Sequence, residues 1–199
     1  MSDYYDAHPI RVPKIPLAIT GVLGVEHESV ALTVASFTGL PCTHLTHLVE
    51  HIVGASARRF IAARGEGEFR RIEAECLLKA LESTPPGVIA LGFRTLLRPG
   101  ILASVSSGSV LVHVHQDLVP LAERIERRLQ ADPDAFLPWL SSEAYSRAEL
   151  ERLLEDEQPG RDEATLHVDA TGRTTQSIAL DIIEKFRLWD GDGNAFMRS

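Results

Sequence analysis

The chain has 199 residues, of which 44% are hydrophobic and 24% are charged, a composition typical of a soluble globular domain. Its formal net charge of −8 argues against a nucleic-acid surface, which usually carries an excess of lysine and arginine. Cys42 and Cys76 show no CxxC spacing and favour a reduced, cytoplasmic protein. No apolar run reaches the roughly 18 residues of a membrane span, and we interpret the polar residues 1–15 as a flexible lead-in.

Short apolar runs alternate with longer amphipathic segments along the chain. The apolar runs predict strands at residues 16–20, 41–45, 87–92, 109–115 and 164–170. Helical periodicity predicts helices at about 29–38, 45–53, 56–65, 66–83, 117–131 and 174–189. This alternation is typical of a parallel sheet with helices on both faces. His113 and His115 alternate along the fourth strand, and we interpret them as strand residues and not as ligands.

The segment 132–160 differs from the rest because it is acidic and interrupted by prolines. Ser146 and Glu149 have the spacing of a capping box, which predicts a helix that carries Leu150, Leu153 and Leu154. The apolar stripe of this helix fits either a solvated helix or one that docks on a partner. The residues 190–199 imitate the start of an EF-hand but lack its glycine and closing glutamate, and we interpret them as a polar tail.

The segment "GVLGVEHES" (21–29) joins the first strand to the first helix, where a phosphate loop of the form G-x-x-x-x-G-K-[ST] would lie. Gly21 matches the first glycine of that pattern. The second glycine, the lysine and the hydroxyl residue are replaced by Glu26, His27 and Glu28, and Ser29 follows. A carboxylate about 4 Å from a phosphate charge is repelled by about 4 kcal/mol at an effective dielectric constant of about 20. Alternatively, Gly21 and Gly24 simply form a tight turn.

The segment 49–92 closely resembles the shikimate kinase family. The matching residues are Val49-Glu50, Gly54, Ser56, Gly65-Glu66, Phe69-Arg70, Glu73 and Gly92, and "LHVDATG" is similar to the last strand of that family. The resemblance covers about residues 16–186. It implies a three-layer α/β/α fold with a five-stranded parallel sheet, of the P-loop, nucleoside-monophosphate-kinase-like type. It also implies one domain over 16–189 with an acidic, helical, lid-like segment at 132–160.

The same resemblance shows which family residues this chain lacks. The family's Asp-x-Asp falls on His44-Leu45-Thr46, its Gly-Gly-Gly on Gly92-Phe93-Arg94 and its lid Arg-Pro-Leu on Leu137-Pro138-Trp139. A later substrate arginine falls near Asp156. Among the charged substrate-binding positions only Arg70 is kept. Arg70 either binds a ligand carboxylate, with Thr46 and Gly92 beside it, or serves helix packing with Phe69 and Glu73.

These losses lead to the hypothesis of a catalytically inactive, shikimate-kinase-like pseudokinase. It would have no catalytic residues and no cofactor, and would act through another protein. An active kinase that uses ATP and Mg²⁺, with His27 in place of the lysine, is a second hypothesis. A sensor that binds a small carboxylate through Arg70 is a third. The spacing of His44, His47 and His51 allows a metal site on one helix face, or simply a polar face at the mouth of the pocket.

Overall fold

A computed structural model describes residues 14–136 and 139–188 and forms a five-stranded parallel sheet in the order β2-β3-β1-β4-β5. The strands are β1 (Leu17–Gly21), β2 (Cys42–His44), β3 (Val88–Ala90), β4 (Val110–His115) and β5 (Leu166–Asp169). Four lie within the predicted apolar runs, β1 extends one residue beyond its predicted end at residue 20, and the predicted sheet is confirmed. Most of the predicted lead-in, the positions Leu137 and Pro138, and the predicted tail lie outside the described residues.

The helices α1 to α4 are His27–Thr38, Leu45–Val53, Ala57–Arg64 and Glu66–Leu81. The helices α5 to α9 are Ile101–Gly108, Leu118–Ala131, Arg147–Asp156, Gln158–Asp162 and Thr175–Leu188, and a short 3₁₀ turn covers Thr95–Leu97. Within the described residues, no helix is long and apolar enough to cross a membrane.

Three of these helices differ from the prediction, and one of them, the five-residue helix α8, is not among the predicted elements. Helix α1 begins at residue 27, earlier than expected, because the carbonyl of Glu26 already accepts the N–H of Val30. Helix α5 is also missing from the predicted elements. Its sequence, "ILASVSSG", contains three serines and a glycine, which are weak helix formers. Burial of Ile101 and Val105 in the core stabilises it, and its Ser104 hydroxyl donates to the carbonyl of Gly100.

The side chains of β1 alternate between two hydrophobic clusters, one on each face of the sheet. Leu17 and Ile19 pack in a cluster that includes residues of α1, α6 and α9. Ala18 packs in a second cluster, with residues of α2 to α5. Both faces are therefore covered, as expected of a parallel sheet.

Helix α7 forms where the capping box predicted it, and the Ser146 hydroxyl accepts the Glu149 N–H at 3.1 Å. Leu150 and Leu153 are fully buried in the first cluster, and Leu154 is half-buried. The hypothesis that this stripe docks on a partner is therefore wrong, because the stripe packs against the core of the protein itself.

Candidate phosphate-loop and acceptor-pocket site

The glycines of the loop after β1 are required by close packing. A Cβ atom at Gly24, which has φ +86°, would lie 2.8 Å from Cγ1 of Ile125 on α6. A Cβ atom at Gly21 would lie 2.9 Å from the Cβ of His27. Val22, Leu23 and Val25 bury their side chains between these glycines and α1. The chain thus keeps a tight strand-to-helix turn that only small residues at positions 21 and 24 allow.

His27, at the position of the lysine in a phosphate loop, points into the fold and is only 6% exposed. Its Nε2 lies 2.8 Å from the carbonyl oxygen of Leu91, and its Nδ1 lies 3.1 Å from that of Val25. Each ring nitrogen therefore faces a backbone oxygen of the protein itself. The ring joins the loop to the end of β3, so its two nitrogens lie against the backbone although the residue also lines the cleft around the loop.

Two carboxylates flank His27 at the start of α1. Glu26 is exposed and makes no side-chain cap hydrogen bond. Burial alone would raise the pKa of Glu28, but a hydrogen bond from His44, with nearby histidine charge, outweighs it and the pKa is lowered. An ionised Glu28 in the first turn offsets the positive end of the helix dipole. A phosphate would occupy that place at a working loop. Ser29 is exposed, and its carbonyl accepts the Thr33 hydroxyl.

The three histidines proposed as a weak metal site do not converge. His44 caps α2, because its Nδ1 accepts the His47 N–H at 3.3 Å, and its Nε2 lies 3.4 Å from Glu28. The rings of His44 and His47 stack with their centroids 3.7 Å apart, and His51 is exposed. Both nitrogens of His44 are engaged in the fold. Across residues 14–136 and 139–188, no group of three potential ligands is placed to hold a metal ion.

Arg70 is held mainly by the protein itself. It is 9% exposed, its Nη1 donates to Glu73 Oε2 at 2.7 Å, and its Nε donates to Glu66 Oε1 at 3.2 Å. The guanidinium lies over the rings of Phe69 and Trp139, at 5.5 and 5.3 Å from their centroids. Its Nη2 is buried and has no hydrogen-bond partner among the described residues. Arg70 therefore serves helix packing, with one N–H₂ group still unpaired.

Gly92, at the end of β3, lies directly against this pair. A Cβ atom there would lie 2.7 Å from Glu73 Oε1 and 2.9 Å from Thr46 Oγ1. Burial raises the pKa of Glu73, and the neighbouring Arg70 opposes that rise without overcoming it. The fold thus brings together the predicted ligand-binding residues Arg70, Gly92 and Thr46, around a buried carboxyl group.

The residues after Gly92 fill the space beside it. Phe93 is buried and meets Trp139 edge-to-face, with ring centroids 5.5 Å apart. The Trp139 Nε1 donates to Glu66 Oε1 at 3.2 Å. Arg94 keeps a glycine-like backbone, with φ +64°, and its Nη1 donates to Asp156 Oδ2 at 3.2 Å. We call this region the acceptor pocket and define it by Arg70, Glu73, Gly92, Phe93, Arg94 and Trp139.

Comparison of the sequence with known proteins identifies the family of this chain. A sequence model of the family described as shikimate kinase matches residues 27–187. The chain belongs to the shikimate kinase family. It is 28% identical over 144 residues to the shikimate kinase of Paracidovorax citrulli, with 72% of this chain and 76% of that protein covered. It is 25% identical over 168 residues to that of Brucella canis, with 84% and 80% covered.

Solved structures of shikimate kinases show the same fold. The Acinetobacter baumannii enzyme in complex with shikimate superposes with a TM-score of 0.74 at 16% identity, covering 94% of this chain and 97% of that one. The Aquifex aeolicus enzyme gives 0.72 at 17% identity, with 91% and 98% covered. The predicted P-loop, nucleoside-monophosphate-kinase-like fold is therefore confirmed.

Besides the acceptor pocket, this member of the shikimate kinase family has a cleft that the sequence did not predict. Its volume is about 510 Å³, and it lies beside Val25 and Glu26 of the loop. Four arginines line it, and we call it the arginine cleft: Arg124, Arg127, Arg128 and Arg173. The spacing of three arginines in "ERIERRLQ" could have revealed one face of α6. Arg173 comes from the turn after β5, so only the fold brings all four together.

Most of these arginines have no acidic partner among the residues that the structure describes. Arg173 pairs with Asp181 at 2.9 Å, whereas none of the α6 arginines has a carboxylate within ion-pair distance in the described part of the chain. Arg128 lies over the Phe136 ring at 5.2 Å and also borders the loop cleft, which has a volume of about 380 Å³. The arginine cleft can therefore attract an anion beside a loop that carries carboxylates.

Proposed function

We propose that this member of the shikimate kinase family does not transfer phosphoryl groups and acts in the cytoplasm by binding another protein. The position of His27 carries the proposal. Its Nε2 binds the carbonyl of Leu91 at 2.8 Å, within the fold, where a phosphate loop needs a lysine that reaches the phosphates. Phosphoryl transfer depends mostly on positioning and on charge neutralisation, and a buried imidazole bound to the backbone supplies neither to a nucleotide.

Local charge supports the same proposal. Glu26 and Glu28 place two carboxylates at the start of α1, and the lowered pKa of Glu28 keeps it ionised at neutral pH. Each would repel a nearby phosphate charge by about 4 kcal/mol at about 4 Å and an effective dielectric constant of about 20. The lid arginine of the family falls on Leu137. One transition-state arginine can be worth about 10³- to 10⁵-fold in rate.

The acceptor pocket adds a third line of support. Phe93 and Trp139 pack edge-to-face at its wall, and Arg70 already binds two carboxylates of its own helix. Arg94 and Asp156 pair with each other across this region. A substrate that bound Arg70 would have to compete with the buried ion pair of that arginine.

A transfer assay tests the catalytic half of the proposal. The purified chain is incubated with ATP, Mg²⁺ and shikimate, and the A. baumannii shikimate kinase serves as the positive control. We expect no shikimate phosphate from this chain. Metal-dependent product formation that scales with protein concentration would refute the proposal.

A reconstitution experiment tests the binding half. Proteins retained by the tagged chain from its source organism are identified by mass spectrometry, then purified and mixed with the chain again. We expect one of them to form a complex of fixed stoichiometry. If none binds once purified, the interaction role is rejected whatever the transfer assay shows.

The arginine cleft favours a second candidate, an altered kinase that uses ATP and Mg²⁺. Three arginines of α6 line this cleft beside the loop. Calorimetry with ATP, with and without Mg²⁺, separates the candidates. Metal-dependent binding that is lost in Arg124→Ala/Arg127→Ala, but kept in the control Arg71→Ala, supports the kinase. Absence of binding supports the non-catalytic protein.

The unpaired Nη2 of Arg70 favours a third candidate, a sensor of a small carboxylate. A carboxylate that reached this group would gain a charge-assisted hydrogen bond. Shikimate and benzoate should then raise the unfolding temperature, and Arg70→Ala should abolish the increase. If neither acid changes the unfolding temperature of the original chain, the sensor is excluded.

A further inference from the structure

A third cleft, of about 510 Å³, lies between strands β4 and β5 and the helices α7 and α8. Parallel pairing places His113 opposite His167, and His115 follows His113 on the same face of β4. The ring of His113 is 6.2 Å, centroid to centroid, from the ring of His115 and also from that of His167. We call this the histidine cleft and define it by His113, His115, Gln116, Glu157, Arg161 and His167.

Several polar atoms around this cleft are buried and have no hydrogen-bond partner in the described part of the chain. His113 is 2% exposed and Glu157 is 6% exposed. Nδ1 of His113, Oε1 of Glu157 and Oε1 of Gln116 have no hydrogen-bond partner among the described residues. Leaving such an atom unpaired is unfavourable, so folded proteins rarely do it. Three unpaired atoms at one cleft indicate a ligand with several hydrogen-bonding groups.

The charges around the cleft nearly balance. Burial lowers the pKa of His113 to about 4, so its ring is neutral at neutral pH. Burial also raises the pKa of Glu157 to about 7, against the charges of Arg94 and Arg70. Arg161 lies 3.7 Å from Asp162, and both are exposed. His115 lies 4.0 Å from Asp169. An anion would meet Glu157 and Asp162, and a cation would meet Arg161, so neither sign is favoured.

We propose that the histidine cleft binds a neutral polyhydroxylated small molecule, of the monosaccharide or cyclitol class. Ligand hydroxyls would donate to Glu157 Oε1 and Gln116 Oε1 and pair with His113 Nδ1, while the C–H face of the ring packs on the imidazoles. The volume lies within the roughly 300–1,000 Å³ of small-molecule sites. This assigns a binding role to two histidines that the sequence presents only as strand residues, and it does not depend on the proposed function.

Nuclear magnetic resonance of the full chain, labelled with ¹³C at histidine Cε1, tests the proposal. myo-Inositol and methyl α-D-glucopyranoside are each titrated to about 10 mM, above the ~1 mM Kd of a weak site. With at least one probe, we expect saturable shifts at His113, His115 and His167, and none at the exposed His51. Absence of saturation with both probes overturns the proposal, as do equal, linear shifts at His51.

Variants identify the atoms involved. Glu157→Gln keeps an acceptor oxygen and should bind within about threefold of the original chain, whereas His113→Phe should weaken binding at least about tenfold. If His113→Phe does not fold, Gln116→Leu removes the second acceptor at a half-buried position and should weaken binding in the same direction. His51→Ala is the control and should bind unchanged. Unchanged affinity in both His113→Phe and Gln116→Leu overturns the proposed site. Stronger binding of shikimate or inorganic phosphate at the same resonances overturns the proposal that the ligand is neutral.

Discussion

The acceptor pocket and the arginine cleft lie on either side of the loop after β1. Their charged groups differ in burial and in whether they form ion pairs. In the acceptor pocket, Arg70 and Glu73 are buried and bind each other. In the arginine cleft, Arg127 and Arg128 are exposed and face solvent. A buried charge must be paired, because its removal from water is costly, whereas an exposed charge needs no partner. The pocket is therefore part of the stable core, and the cleft is a surface still able to meet a ligand.

Removing one arginine from each region should give the largest difference in stability between the acceptor pocket and the arginine cleft. Arg70→Ala leaves Glu73 buried and unpaired, and the free energy of unfolding should fall by about 3–5 kcal/mol. Arg127→Ala removes an exposed side chain and should change it by less than about 0.5 kcal/mol. Urea unfolding measures both. Similar losses of unfolding free energy in the two variants would mean that the two arginines do not differ in burial and pairing.

The next largest expected effect is a dependence of stability on pH, caused by Glu157 beside the acceptor pocket. Its pKa is about 7 in the folded protein and 4.5 ordinarily. The folded state binds this proton more tightly, so the stability it contributes is present below pH 4.5 and is lost as pH rises towards 7. At about 1.4 kcal/mol per pKa unit, the loss is roughly 3 kcal/mol.

Glu157→Gln should remove that loss. The stability of the variant relative to the original chain should therefore increase by roughly 3 kcal/mol as pH rises from 4.5 to about 7. His113 acts in the opposite direction, because its lowered pKa makes stability fall as pH falls from 6.5 to about 4. Urea unfolding across this pH range measures the difference, and parallel curves for the two proteins would contradict the burial of Glu157.

Two glycine substitutions test how tightly the acceptor pocket is packed relative to an open position on a helix. Gly92→Ala would place its Cβ 2.7 Å from Glu73 Oε1 and should destabilise by about 1–3 kcal/mol. Gly67→Ala, inside α4 with no atom near the new Cβ, should stabilise by about 0.5–1 kcal/mol. Thermal unfolding should give shifts of opposite sign. A neutral Gly92→Ala would show that the acceptor pocket has room to spare.

The smallest effect concerns the backbone of Arg94. A residue with a Cβ atom at φ +64° costs about 1 kcal/mol relative to glycine. Arg94→Gly and Arg94→Ala both lose the ion pair with Asp156, but only the glycine relieves the backbone. Arg94→Gly should therefore be about 1 kcal/mol more stable than Arg94→Ala. Equal unfolding temperatures would mean that the strain is absent.

Much of the fold could be predicted because its signals are local. The runs that became β3 and β4 are continuously apolar, and buried parallel strands need such runs. Helix α4 shows its periodicity in the same block that carries the family resemblance. Helix α5 could not be predicted, because its serines disfavour a helix and only its packing stabilises it.

The candidate site was predicted less completely. The loop residues and Arg70 could be found from spacing and from family resemblance. The direction of His27 could not, because its partner Leu91 is 64 residues away. Arg173 and the arginines of α6 also meet only in the folded chain. A partner so distant in sequence leaves no periodicity or spacing to detect.

Three features follow from the amino-acid sequence alone: where the five strands lie along the chain, the membership of the shikimate kinase family and the absence of the loop lysine. Hydrophobic periodicity and motif spacing act over a few residues, so they can be read along the chain. Three further features exist only in the folded chain: His27 binds the backbone, Arg94 pairs with Asp156, and three histidines share a cleft. Burial and pairing depend on which distant segments meet, and packing alone sets those contacts.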